Sequence, residues 1–213
     1  REQHEHLNTI DMYRSYFKIG WRNLLRHRGY SVINISGLAV GMAVTVLIGM
    51  WVLDELSFNT YHANYDSIAQ VYQHRTFDSK INTSEVVPVP LASELRSTYK
   101  NDFRHVVIAW WMGNHVVSLD DKRVFQKGNF MDPEALEMFS FDMLHGDMNS
   151  LRDPYSVILS SSAARAMFGD ADPLGKMLRI DNSVDVKVTG VFNEFPDNST
   201  FRDLQFVSTW EIW

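Results

Sequence analysis

From Tyr30 to Leu53 the chain runs through twenty-four residues, YSVINISGLAVGMAVTVLIGMWVL, without one charged side chain. As a helix rising about 1.5 Å per residue, this run reaches roughly 36 Å, enough to cross a hydrocarbon core of about 30 Å with some tilt. Its eleven Val, Ile and Leu residues supply on the order of 3 to 7 kcal/mol toward insertion, and Asn34 sits near one end, where a polar group costs least. The pattern predicts a transmembrane helix over 30–53. Just before it, the spacing is helical but two-sided: Arg14, Lys18, Arg22 and Arg26 recur every four residues, and Phe17, Trp21, Leu24 and Leu25 mark a neighbouring apolar face. Residues 13–29 are therefore expected to form an amphipathic helix in the plane of the inner leaflet. Arg14, Lys18, Arg22, Arg26 and Arg28 would lie against lipid phosphates, with Trp21 at headgroup depth and Gly29 as the bend into the span. Residues 1–12 are polar and aperiodic, and the expectation there is a disordered tail; His4 and His6 flank Glu5 in a pairing that belongs to solvent more than to a metal.

Beyond the span the period changes. A short helical extension and a turn should lead to a first strand near Val71-Tyr72, and Pro90 can open a helix whose Leu91, Leu95 and Tyr99 share a face. His105 to Trp111 reads as a buried strand, and Val116 to Leu119 with Arg123 to Phe125 read as a hairpin around Asp120-Asp121. Asp132-Pro133-Glu134 is a helix start, with Asp132 as the capping carboxylate and Leu136 and Phe139 facing in. Val157 to Leu159 predicts an apolar strand, and Ser160 to Ser162 a cap for a helix carrying Ala164, Met167 and Phe168 until Gly169. Leu178 and Ile180, then Val184, Val186 and Val188, alternate with polar residues as half-buried strands do. Residues 54–213 are thus expected to be an α+β domain, in one body or two subdomains, anchored by a single N-terminal transmembrane α-helix.

Charge gives the helix a direction. Five basic residues precede it between Arg14 and Arg28, and none follows until Arg75, so the amino terminus is expected in the cytoplasm and the domain outside. Residues 1–31 carry a net charge of +3 and residues 54–213 a net of −9, within a total of −6. An acidic outer domain argues against nucleic acid as a partner. A cleaved signal peptide does not fit: the apolar run is too long, and Val52-Leu53-Asp54-Glu55 offers a peptidase no small residues. The chain has no cysteine, which rules out disulfides and thiolate metal sites. Within the span, Gly37, Gly41, Thr45 and Gly49 fall four apart and make a ridge where another helix could approach closely.

Catalytic chemistry finds little support. Gly169 to Lys176, GDADPLGK, has five residues between its glycines where a phosphate loop has four, Met177 in place of Ser or Thr, and two aspartates that would repel phosphate. Neither HExxH nor GxSxG occurs, His62, His74, His105, His115 and His145 are scattered, and Trp110 and Trp111 suit a buried strand better than a ligand groove. No catalytic residue, cofactor site or metal site is expected.

Five stretches carry a resemblance: YFKIGWRNLLRHRGYSVINISGLAVGMA, DELSFNTYH, FMDPEALEMFSFDMLHGD, SVILSSSAARAMFGDADPLGKMLRI and VKVTGVFNEFPDNSTF. In this order they resemble the first membrane segment and periplasmic core domain of the MacB-like, FtsX-like ABC transporter permeases, of the long Bacteroidetes-type kind, over roughly Tyr13 to Phe206. The resemblance implies an inner-membrane permease that couples ATP hydrolysis on a separate cytoplasmic ABC ATPase to movement of a periplasmic domain. The cargo implied is a macrolide, peptide, toxin or lipoprotein. Implied partners are membrane lipids, further permease helices or a second permease copy, and a periplasmic or outer-membrane protein. Family permeases continue with further membrane helices, so the chain is expected to be a fragment or a truncated product. The alternative is a single-pass anchored periplasmic sensor or ligand-binding protein; a tethered hydrolase would need a polar triad or metal site in the folded domain.

Overall fold

The computed structural model describes residues 2–212, with side chains from Met12 onward. It divides into two compact units, residues 1–56 and 57–213. In the first unit, α1 (Glu2–Arg26) and α2 (Arg28–Leu56) are two helices separated only at His27. The break falls two residues before the expected bend at Gly29. Hydrogen bonds from His27 N to Asn23 O at 3.1 Å and from Ser31 N to His27 O at 2.9 Å carry the helical pattern through it. The backbone of the expected tail belongs to α1 from Glu2 on, in a stretch of Glu, Gln and Leu with neither Gly nor Pro to stop a helix. The side chains of His4, Glu5 and His6 lie outside the described residues. α2 buries none of its residues against protein, so its apolar surface calls for lipid or another helix.

The second unit is built on a sheet that closes on itself. Its strands are β1 (Gln73–Phe77), β2 (Lys80–Ser84), β3 (Gly113–Leu119), β4 (Lys122–Met131), β5 (Met143–His145), β6 (Ser156–Ser160), β7 (Met177–Ile180), β8 (Val184–Phe192) and β9 (Phe206–Thr209). Its helices are α3 (Pro90–Thr98), α4 (Ala135–Met138) and α5 (Ser161–Phe168). β1 and β2 form a separate antiparallel hairpin whose loop residues Asp78 and Ser79 both have positive φ, 48° and 60°, the primed-turn geometry that matches strand twist. The remaining strands pair in the order β8, β6, β9, β4, β3, β7, and β7 returns to β8. β5 takes the rest of the β8 edge, beside Val191 and Phe192. β6 and β8 run parallel with α5 and β7 between them in sequence, and β4 and β9 also run parallel.

Burial explains the sequence pattern. β6 is covered on both faces along its whole length, which is why SVILS reads as a continuous apolar run. Val157 and Leu159 face one core, with Phe130, Val186, Val188 and Phe206. Ile158 faces the other, with Leu136, Phe141, Phe192, Phe195 and Leu204. In β8, alternation holds through Val188 and then changes parity, because Val157 pairs with Val188 while Ile158 pairs with Gly190. The bulge leaves Thr189 free to donate its hydroxyl to Ser150 O at 2.6 Å and to Val157 O at 3.2 Å.

Two expectations are corrected. His105 to Trp111 is not a buried strand: it makes a single bridge, Ala109 to Met131, and leaves Trp110 43% and Trp111 65% exposed. Side chains occupy backbone groups that a ladder would use. Arg96 Nε donates to Val106 O at 3.0 Å, and Ile108 N donates to Asp132 Oδ2 at 2.7 Å. For the same reason Asp132 does not cap α4; its carboxylate, largely buried, receives Ile108 and the guanidinium of Arg96.

Candidate functional site

Of the residues singled out in the sequence, those on the first two helices are exposed. Arg14, Lys18, Arg22 and Arg26 are exposed along α1, and Trp21 stacks on Phe17 with ring centres 6.3 Å apart. Arg28 Nε turns back and donates to Leu25 O at 3.1 Å, a last-turn carbonyl of α1. On α2, a methyl group built on Gly37, Gly41 or Gly49 would meet nothing within 4 Å. Thr45 Oγ1 donates to Gly41 O at 2.9 Å, which satisfies its hydroxyl inside the helix and keeps the ridge low.

A polar arrangement in the second unit brings three separated segments together. The chain leaving α2 runs SFNTYHAN over 57–64. Asn59 N donates to Asn198 O at 2.8 Å. Asn59 Nδ2 donates to Thr200 Oγ1 at 2.9 Å, and Thr200 N returns a bond to Asn59 Oδ1 at 2.8 Å. Asn198 Nδ2 donates to Ser57 O at 3.0 Å and to Ser57 Oγ at 2.9 Å. Asn59 holds φ 61°, a left-handed conformation that Asn tolerates better than most residues. Next along, His62 is buried, with 6% of its surface exposed. Its Nδ1 donates to Phe139 O at 2.7 Å, and the rings of Phe139, Phe195 and Phe201 surround it at 5.6–5.9 Å. Ala63 N donates to Ser140 Oγ at 3.0 Å.

The loop on the far side of this junction is itself pinned. Asn193 N donates to Asp142 O at 2.8 Å. Glu194 accepts Ser161 Oγ at 2.7 Å and Ser162 N at 2.6 Å, at the start of α5. There Ser160, as expected, caps the helix by accepting Ala163 N. Partial burial raises the Glu194 carboxyl, but the bonds from Ser161, from Ser162 and from its own amide outweigh it and hold the group below the ordinary Glu value. Tyr61, beside this cluster, is shifted up by burial and by the charge of Asp142.

Sequence reasoning quoted these segments as separate resemblances and gave none of their residues a role. The available signal was shared side-chain chemistry: Ser57-x-Asn59 and Asn198-Ser199-Thr200 are short amide and hydroxyl clusters suited to mutual hydrogen bonding. Their pairing, 141 positions apart, has no periodicity to reveal it. Of the histidines, His115 is buried and donates Nδ1 to Asp181 Oδ2 at 2.6 Å, His74 pairs with Thr83 Oγ1 at 2.9 Å across the hairpin, and His105 lies 3.5 Å from Glu137. Trp110 and Trp111 sit together with Trp210 on the surface.

A family model described as the MacB-like periplasmic core domain matches residues 31–211. Among solved structures, the periplasmic region of MacB from Actinobacillus actinomycetemcomitans is similar at 17% identity, over 56% of this chain and 54% of that one, with a TM-score of 0.44. The extracellular domain of the noncanonic ABC-type transporter YknZ from Gram-positive bacteria is similar at 17% identity, over 57% of this chain and 61% of that one, with a TM-score of 0.44. The chain thus spans a little over half the length of these structures. No curated protein matches it.

Proposed function

The chain belongs to the MacB-like periplasmic core domain family of ABC transporter permeases, and from that membership we propose that it couples ATP hydrolysis on a separate cytoplasmic subunit to movement of a periplasmic domain. The observation that carries this reading is the extent of the match, which takes in the apolar helix and the closed sheet together. In this reading α2 spans the inner membrane with its amino terminus in the cytoplasm. Arg14, Lys18, Arg22, Arg26 and Arg28 rest on anionic headgroups with Trp21 among them. The ridge of Gly37, Gly41, Thr45 and Gly49 packs on further permease helices or a second permease copy. The chain's own residues do no bond chemistry; they bind, hold position and move. The cargo is a substrate of the exported or extracted kind, such as a macrolide, peptide or lipoprotein.

The test uses membrane vesicles from the native cell, with a cysteine placed at exposed Ser67 of a chain that has none of its own. Trapping the nucleotide cycle with ATP and vanadate should change the rate at which Ser67→Cys reacts with a maleimide. Labelling that ignores nucleotide in every condition would overturn ATP coupling and leave an anchored sensor as the reading.

A further inference from the structure

We propose that Ser57, Asn59, Asn198 and Thr200 form a positioning clamp that makes the first residues after α2 and the loop following β8 move as one rigid piece. This inference rests on the permease reading for its purpose, while its mechanical content stands on geometry alone. The bonds run both ways between the two segments, backbone to backbone, side chain to backbone and side chain to side chain. A pull along the chain at Ser57 therefore loads several bonds at once. The receiving loop, 193–201, is not a free surface loop. It begins at the end of β8, the strand that pairs with β5, β6 and β7, and Asn193 and Glu194 fix it to Asp142 and to the start of α5. Displacement at Asn59 is thereby delivered to the most connected strand of the sheet, with no slack segment between. The ring contacts of His62 with Phe139, Phe195 and Phe201 fill the space behind the clamp and resist tilting. Asn59 is the pivotal residue, because it serves both as the left-handed turn and as a two-point side-chain partner of Thr200.

The test separates the side chain from the backbone. Asn59→Gly keeps the left-handed conformation at no steric cost and deletes both side-chain bonds. Thr200→Ser keeps the hydroxyl, and Thr200→Val removes it with little change of shape. In the full chain in lipid nanodiscs, Asn59→Gly should speed hydrogen exchange of amides in 57–64 about tenfold, while amides of β6 and β8 keep their protection. Unchanged exchange in 57–64, or an equal loss of protection in β8, would overturn the clamp as a distinct device. In the vesicle assay, Asn59→Gly and Thr200→Val should lose the nucleotide-dependent change at Ser67→Cys while ATP hydrolysis continues, and Thr200→Ser should behave as the unaltered chain. Variants that retain the full change would overturn the positioning role. If the unaltered chain shows no nucleotide response, the permease reading fails, and the exchange measurement still decides whether the clamp exists.

Discussion

Asp181 Oδ2 receives the Nδ1 proton of His115 at 2.6 Å, and Oδ1 of the same carboxylate receives the backbone N–H of Val116 at 2.9 Å. The contact sits where the sheet closes, since β3 and β7 share only the pairs Val117 with Ile180 and Ser118 with Arg179. Asp181 extends that short seam, and its φ of 49° lets the chain turn into β8. Asp181→Ala removes two hydrogen bonds and replaces a residue that tolerates the left-handed region with one that does so less well, at a cost of about 2–3 kcal/mol. Asp181→Asn, which keeps an acceptor and tolerates the turn, should cost less than about 1 kcal/mol. Thermal unfolding of the full chain in detergent distinguishes them; equal losses would show that the side-chain bonds contribute nothing.

Gly128 should accept no side chain. A β-carbon there would land on the ring of Phe206, one strand over in the parallel pair of β4 and β9. That ring is fully buried in the core with Phe130 and Val188, so neither partner can retreat. Gly128→Ala is expected to destabilise the second unit by about 2–4 kcal/mol. Gly169→Ala, with open space around it, should cost only the strain of its backbone, φ 63° with ψ −124°, a conformation that β-carbons disfavour, about 1–3 kcal/mol.

Glu194 makes stability depend on pH in a known direction. Its carboxyl is held below the ordinary value of 4.5 in the folded protein, so the unfolded chain binds the proton more readily. The contribution is complete above the ordinary value and drains away as pH falls through the lower folded value. Surface pairs Asp185 with Arg179 and Asp203 with Lys127 act in the same sense. A comparison of unfolding midpoints between the unaltered chain and Glu194→Gln from pH 6 down to about pH 3 therefore isolates this residue. The gap between the two should shrink on acidification; a constant gap would assign the effect of the variant to packing.

Topology has a direct check. Because the chain lacks cysteine, single cysteines at Ser15 and Ser183 report their side of the membrane without background. An impermeant maleimide applied to cells with a permeabilised outer membrane should label Ser183→Cys and spare Ser15→Cys. Replacing Arg14, Lys18, Arg22 and Arg26 by glutamate removes about 1 kcal/mol of lipid attraction per residue and should mix the two orientations. Labelling confined to Ser15→Cys in the unaltered background would reverse the proposed direction.

How far the sequence could be read depended on how local the controlling interaction is. The apolar stretch, the cap at Ser160 with the stop at Gly169, and the alternation through Val188 all rest on neighbours within a few residues, and each stands in the structure as expected. β9 escaped notice because FVST is short and wholly buried, so it lacks the alternation that marks a half-exposed strand. The strand expected at His105 to Trp111 failed because Arg96 and Asp132 take its backbone groups. The junction of Asn59 with Thr200 joins two polar loops from opposite ends of the domain, and polar loops carry no pattern that names their partner.

A sheet that returns to its first strand presents few open backbone edges, so copies crowded side by side on one membrane have little to pair with. Open edges include the outer side of β5 and the small β1 and β2 hairpin, where Phe77 and Ile81 are each 73% exposed. If overexpressed protein ever forms strand-exchanged dimers or fibrils, that hairpin is the place where they should start, and charged replacements at Phe77 and Ile81 should prevent them without disturbing the ring.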